Sequence, residues 1–231
     1  MKHKIIPMTN DRMFKAVLTS KEARDYLVDI ISGITGLPKE NLKRDMTFKN
    51  SEHPVSGISE SKKISDLVVE VKDGVINLEM NETYYKKLVD RNFEYIVKLK
   101  SNLVGESYNE IKKVIQINFD NFNKYNDERI VIKFEMMDET GIKEGVSLES
   151  YHEILPNVKQ KYYNEREKDE LVRKLVILVE ERDEELQKLI DANMELRPVG
   201  KKMVEISRDE ELNGIYDREE HERRVRNSLI E

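Results

Sequence analysis

The sequence predicts an α/β fold with a mixed sheet flanked by helices, and three observations lead to this prediction. Two short runs of alternating apolar residues at 64–81 surround Asp73-Gly74, a dipeptide typical of two-residue hairpin turns. A helical pattern follows at 84–103. A β-branched and aromatic run at 114–119 then predicts a strand parallel to one hairpin strand, because a helical crossover joins them.

The other elements follow from apolar spacing and cap residues. Residues 9–11 offer N-caps to a first helix, and Thr19 with Glu22 forms a capping box that opens a second. Further strands are predicted at 44–50 and 129–136, and a loop at 52–65. From residue 164 the spacing predicts one long amphipathic helix, which Pro198 ends or breaks. We therefore predict a domain at 1–135 and an acidic, mainly helical C-terminal region at 136–231.

The hairpin places two acidic residues on one face of its strands. A turn at Asp73-Gly74 pairs Val68 with Glu79, and side chains alternate between faces with period two. The polar face then carries Asp66, Glu70, Asn77, Glu79 and Asn81. Asp66 and Glu79 would lie diagonally across the two strands, within reach of one divalent cation. The same pattern is typical of a hairpin whose polar face is merely solvated, and both interpretations stay open.

Composition limits the classes of protein that the chain can belong to. It has 231 residues, 38% hydrophobic and 37% charged, with no Cys and no Trp. The absence of Cys excludes a disulfide scaffold, a thiolate metal site and a cysteine nucleophile. No apolar run is long enough to cross a membrane. We therefore predict a soluble cytoplasmic protein without a membrane partner.

The net charge of −6 is unevenly distributed. Residues 1–130 contain 22 Lys and Arg against 20 Asp and Glu, whereas the remainder carries a net charge of −8. The N-terminal part is thus compatible with contacts to phosphate. The acidic C-terminal helices are better suited to a homodimer or a protein partner.

Carboxylates are the best candidates for chemistry. The four histidines are widely separated and lack metal-ligand spacing, so we predict surface or capping positions for His3, His53, His152 and His221. Two carboxylates from adjacent strands suit Mg²⁺ or Mn²⁺. Such an ion can activate a water molecule and neutralise charge on a phosphate.

Several motifs share their order and spacing with a known family. Asp66, twelve intervening residues and Glu79-Met80-Asn81 resemble the PD-(D/E)XK nuclease core. Around this core lie Asn10-Asp11-x-x-Phe14-Lys15, Asn77-Leu78-Glu79-Met80, Arg91-x-x-x-Tyr95, Gly105-x-x-Tyr108, KVIQINFDNF at 113–122 and Gly214-Ile215-Tyr216-Asp217. Together they resemble the Rpn family of recombination-promoting nucleases, also described as PD-(D/E)XK transposase-like proteins.

The resemblance implies a restriction-endonuclease-like core, a divalent-metal site on the hairpin and cleavage of DNA phosphodiesters in recombination or mobile-element contexts. It implies that Asp66 and Glu79 are metal ligands. Asp11 is either a third carboxylate ligand or an ordinary residue at a helix N-terminus. Arg91 and Tyr95 either face the site from the following helix or form a solvated or core-edge pair.

Asn81 departs from the pattern that the resemblance implies. The family usually has Gln at this position and the wider superfamily has Lys, which orients the attacking water and stabilises charge on the phosphate. We therefore expect the catalytic set to be Asp66, Glu79, Asn81 and Arg91, with activity weakened by the neutral, shorter Asn81. The alternative is a degenerate nuclease fold that acts as a DNA- or protein-binding module.

Contacts to DNA are expected from the N-terminal part, where the positive charge is concentrated. Helical offsets of four and seven residues place Arg91, Tyr95 and Lys98 on one helix face. The predicted DNA-binding residues are Lys62, Lys63, Lys86, Lys87, Tyr95 and Lys98.

Overall fold

The computed structural model describes residues 5–49, 67–72, 74–103, 112–145, 147–165, 169–209, 214–218 and 221. Contacts divide the chain into two compact units. The terminal unit comprises Met1–Tyr26 and Ile177–Glu231, and the sheet unit comprises Leu27–Val176. The domain boundary predicted at residue 135 falls inside the sheet unit.

The secondary-structure elements are short, and several begin where the sequence places a cap. The helices are α1 (Asp11–Leu18), α2 (Arg24–Thr35), α3 (Lys39–Asp45), α4 (Leu88–Ser101), α5 (Leu155–Asn164), α6 (Glu170–Leu175), α7 (Asp183–Ala192) and α8 (Arg197–Ser207). The strands are β1 (Thr47–Lys49), β2 (Leu67–Val71), β3 (Gly74–Asn81), β4 (Lys113–Asp120), β5 (Val131–Phe134) and β6 (Leu148–Ile154). Within the described residues, no helix is both long and apolar enough to cross a membrane.

The terminal unit packs α1 against α8 and α7 against α8. Asn10 caps α1, because its side chain accepts hydrogen bonds from two backbone amides of the first turn. The backbone amide of Ile6 donates to the Ser207 hydroxyl at 3.0 Å, which fixes the chain ahead of α1 to the end of α8. Self-association or a protein partner through the C-terminal helices stays a prediction.

The sheet unit contains one six-stranded sheet in the order β1-β2-β3-β4-β6-β5. β3, β4 and β6 are parallel, and the other neighbours are antiparallel. α4 connects β3 to the parallel strand β4, as the sequence predicts. The predicted mixed sheet flanked by helices is confirmed.

One end of the α4 face of the sheet is apolar. Val68, Val75 and Val114 from three neighbouring strands pack there against Ile96 and Leu99 of α4. Each such side chain, when fully buried, stabilises the fold by about 1.5–3 kcal/mol. This cluster fixes α4 over β3 and β4, and the other end of the same face is polar.

The hairpin register differs from the predicted one by two residues. Val71 pairs with Gly74, so the chain reverses between them, and the turn is not at Asp73-Gly74 as predicted. Asp73 lies outside the described residues. Gly74 is needed inside the strand, because a Cβ there would collide with the carbonyl oxygen of Lys113 on β4. Since a shift of two residues preserves the alternation, the predicted faces are unchanged.

The C-terminal half differs more from the prediction. β6 and α5 were not predicted, and the single long helix after residue 164 is wrong. The structure has α6, a 3₁₀ turn at Val176–Val179 and α7 instead. The four residues of this turn and Glu180 are all buried, so the segment cannot keep the one-sided burial of an amphipathic helix.

Candidate functional site at the ends of the parallel strands

The polar end of the α4 face lies where the parallel strands β3 and β4 end. Glu79 is in register with Asn118, and Asn81 with Asp120. Polar residues occupy alternate positions here, and each is at most 8% exposed: Asn77, Glu79, Asn81, Gln116, Asn118, Asp120 and His152. Apolar packing does not account for such a row. The carboxyl ends of parallel strands are where open α/β sheets commonly bind ligands.

Glu79 is held inside this row. One of its carboxylate oxygens accepts a hydrogen bond from Asn77 Nδ2 at 3.0 Å, and the other lies 3.9 Å from Arg91 Nη2. Only 2% of the Glu79 surface is exposed, so the merely solvated polar face is the wrong interpretation for this residue. A carboxylate buried to this extent needs compensating donors or cations, and this site provides both.

Asn81 and Arg91 form a direct link between β3 and α4. Asn81 Oδ1 accepts a hydrogen bond from Arg91 Nη2 at 3.0 Å, while Asn81 Nδ2 donates to Asp120 Oδ1 at 2.8 Å. The Arg91 guanidinium lies 5.6 Å from the ring centroid of Tyr95 and 5.8 Å from that of Tyr85. Since the Arg91 side chain is 37% exposed, the guanidinium is anchored on one side and open to solvent on the other.

Asp120 and His152 form a buried pair that the sequence analysis missed. His152 Nδ1 lies 2.7 Å from Asp120 Oδ2. Because a carboxylate only accepts hydrogen bonds, Nδ1 carries the proton in this pair. The predicted surface or capping position of His152 is therefore wrong. Polar residues at alternate positions of β4 were the sequence signal that could have identified Asp120.

Two asparagines complete the network. Asn92 Oδ1 accepts hydrogen bonds from Arg91 Nε at 3.2 Å and Nη2 at 3.1 Å. Asn92 Nδ2 donates to Asn118 Oδ1 at 2.9 Å, and Asn118 Nδ2 lies 3.4 Å from His152 Nε2. Hydrogen bonds thus run continuously from α4 to β6. In such a network, each side chain restricts the rotamer of the side chain to which it bonds.

The comparison with protein families identifies the fold of this site. A model of the PD-(D/E)XK nuclease family transposases matches residues 8–231. The chain belongs to this family. A search of curated proteins gives no match.

Membership of the PD-(D/E)XK nuclease family transposases confirms the family that the motifs indicated and supports a nuclease-type function. The match begins just ahead of α1 and extends to the last residue, so it covers both units. PD-(D/E)XK nucleases generally use divalent metals.

The strand ends carry two buried carboxylates, Glu79 and Asp120. The amide oxygen of Asn81 lies beside them and accepts a hydrogen bond from Arg91. Oxygen ligands of this kind suit Mg²⁺ or Mn²⁺. Among the residues that the structure describes, no three His, Asp or Glu side chains are grouped to hold a metal ion.

The other two predicted metal ligands do not belong to the described part of the sheet unit. Asp66 lies outside the described residues and immediately precedes β2 in the sequence. Asp11 is the first residue of α1 in the terminal unit, where Asn10 rather than Asp11 is the N-cap. Their ligand roles stay predictions.

The predicted DNA-binding residues fall into three groups. Lys86 and Lys87 are exposed just before α4, and Lys98 is partly exposed on α4 itself. Tyr95 is buried, and the Arg91 guanidinium lies over its ring, so its DNA-binding role stays a prediction. Lys62 and Lys63 lie outside the described residues.

A further buried carboxyl group lies on β6. Glu153 is fully buried, and neither of its oxygens has a hydrogen-bond partner in the described part of the chain. Burial raises the pKa of Glu153 well above its usual range, and the nearby Asp120 carboxylate adds to the effect. The folded protein therefore holds a proton on Glu153 at pH values where the unfolded chain has lost it.

This proton makes stability depend on pH. Because the folded pKa of Glu153 is raised, its contribution is complete below the unfolded pKa of about 4.3 and is lost as pH rises towards the folded value. The slope of the free energy of unfolding against pH reaches at most about 1.4 kcal/mol per pH unit.

We expect Glu153→Gln to remove this slope and to raise the free energy of unfolding near neutral pH. Urea unfolding of both proteins from about pH 5 to about pH 8 measures this. An unchanged slope in the variant would contradict it.

Proposed function

We propose that the chain is a divalent-metal-dependent DNA endonuclease that cleaves phosphodiesters in recombination or mobile-element contexts. The observation that carries this proposal is the Arg91 guanidinium, which bonds to Asn81, lies 3.9 Å from the buried Glu79 carboxylate and still reaches solvent. A metal-binding carboxylate beside an accessible, positioned cation is the arrangement that phosphodiester cleavage requires.

Glu79 would hold the cation together with Asp66. The pairing of Leu67, the residue after Asp66, with Leu78, the residue before Glu79, supports this proposal. When bound, the cation would activate a water molecule and stabilise charge on the phosphate. Asn77 keeps the Glu79 carboxylate in position by donating to it.

Arg91 would supply the positive charge that lysine provides in the wider superfamily. Asn81 is neutral, but its amide oxygen holds the guanidinium, and Asn92 accepts two further hydrogen bonds from it. A guanidinium fixed in this way loses little conformational freedom when it binds a phosphate with two parallel hydrogen bonds.

Phosphates further along the DNA would contact the exposed lysines. Lys86 and Lys87 precede α4, the helix that carries Arg91. Lys62 and Lys63 are proposed for the same role on sequence grounds. We expect DNA affinity to fall steeply with salt, because each neutralised phosphate releases condensed counterions.

A nicking assay tests the function. We expect the purified chain to convert supercoiled plasmid to open circles with Mg²⁺ or Mn²⁺ but not with a chelator, and Asp66→Ala to abolish this. Asp90→Ala, which removes an exposed carboxylate from the first turn of α4, is the matched control and should cut normally. If wild type binds plasmid but leaves it uncut with either metal, the chain is a binding module and the enzymatic proposal is wrong.

A further inference from the structure

A pocket opens beside the hydrogen-bond network in the sheet unit. It has a volume of about 330 Å³ and lies between α4 and the strands β4–β6. This is near the lower end of the range for small-ligand sites, about 300–1,000 Å³. The residues that line it include Asn92, Phe93, Gln116, Tyr125, Phe134 and His152.

Aromatic rings form much of this pocket. The centroids of Tyr125, Phe134 and His152 lie 5.4–5.6 Å from one another. Across from them on α4, the Phe93 side chain is 59% exposed, and Phe134 itself is 44% exposed. Aromatic faces that remain accessible offer stacking surfaces to another flat ring.

Two buried amides give the pocket polar groups as well. Asn92 Nδ2 and Gln116 Nε2 each donate one hydrogen bond, and both bonds go to Asn118 Oδ1. Each amide nitrogen has two protons, so one donor remains on each. Asn92 is 6% and Gln116 1% exposed, and both side chains line the pocket.

A positive charge stands at the same pocket. Lys124 Nζ, one of the lining groups, lies 4.7 Å from the ring centroid of Tyr125 and 5.6 Å from that of Tyr84. Arg91 bonds to Asn92, another lining residue. The rings match the face of one nucleotide base, the amide donors match its edge, and the nearby cations match its phosphate.

We propose that this pocket receives one unpaired nucleobase of the DNA strand. The inference rests on the proposed function and makes its substrate a single-stranded or locally unpaired segment. Asn77 Nδ2 donates both to Gln116 Oε1 at 3.1 Å and to Glu79 Oε1 at 3.0 Å. A base bound to Gln116 would therefore be linked through Asn77 to Glu79, the residue that would hold the metal.

Binding without cleavage tests the pocket. With a chelator present, fluorescence anisotropy compares a short oligothymidylate with an abasic strand of equal length and charge. We expect wild type to prefer the strand with bases by about tenfold, the effect of one base–aromatic stack. Phe93→Ala should remove the preference and leave abasic binding unchanged. Val97→Ala, one turn along the same exposed face of α4 and outside the pocket, is the control and should keep it.

The outcomes separate the two proposals. A strand preference that depends on Phe93, without nicking in metal, supports the base pocket and overturns the nuclease. Nicking in metal without any preference for the strand with bases supports the nuclease and overturns the base pocket. If neither strand binds, the base pocket is wrong, and the nuclease proposal is decided by the nicking assay alone. If Phe93→Ala leaves the preference intact but converts a dimer into monomers on sedimentation, the aromatic face belongs to a second copy and the base pocket is wrong.

Discussion

Glu79→Gln is expected to lower metal-dependent plasmid nicking by about 10³-fold. The amide keeps the shape of the side chain and can still accept the hydrogen bond from Asn77. It removes the negative charge, however, and a neutral amide is a weaker ligand for a hard cation. Loss of the stabilisation that a bound ion gives to the transition state, several kcal/mol, corresponds to this decrease in rate.

Initial nicking rates over a series of Mn²⁺ concentrations measure the effect. Glu128→Gln is the matched control, because it makes the same chemical change at an exposed position of the sheet unit and should leave the rate unchanged. Thermal unfolding of both variants verifies that the fold is retained. A Glu79→Gln protein that cuts plasmid as fast as wild type would exclude Glu79 as a metal ligand.

The part of the site that the sequence predicts is the part encoded by local periodicity. Glu79 and Asn81 share a face because strand side chains alternate, and this holds although the hairpin register differs by two residues. Arg91 faces them because α4 follows the hairpin directly and packs over it. Each inference needs only neighbouring residues and the geometry of one element.

The remainder of the site depends on pairing between distant segments. His152 reaches Asp120 only because β6 lies beside β4 in the sheet, a contact across 32 residues. β6 itself has a mixed sequence, LESYHEI, in which charged and apolar residues do not alternate regularly. A buried parallel strand is usually a continuous apolar run, so this strand carries no clear signal in the sequence.

The same reasoning explains where the helical predictions hold. α4 is 14 residues long and its buried residues recur at helical spacing, so its position is evident from the sequence. The segment at 170–192 is also rich in helix-forming residues, but it is not one helix. Because all of Val176–Val179 is buried, a 3₁₀ turn there separates α6 from α7. Tertiary packing determines the break between α6 and α7, and local helix propensity does not predict it.

Arg91→Ala is expected to lower the nicking rate by about 10²–10³-fold, the usual loss when one donor that stabilises transition-state charge is removed. The side chain is 37% exposed and joins β3 to α4 through Asn81, so its removal should leave the fold intact. Affinity for DNA should change far less, with the salt dependence reduced by about one counterion.

Charge rescue distinguishes this role from a structural one. Arg91→Lys keeps the charge but loses the planar fork that contacts Asn81 and Asn92, so we expect it to recover only part of the rate. Adding Asn81→Lys to Arg91→Ala places an ammonium group beside the Asp120 carboxylate. In the wild-type chain, Asn81 Nδ2 donates a hydrogen bond to this carboxylate. If positive charge at the strand ends is what cleavage needs, the double variant should cut faster than Arg91→Ala alone. If Arg91 only held α4 on the sheet, the added lysine would give no gain, because it cannot restore the bonds to Asn92.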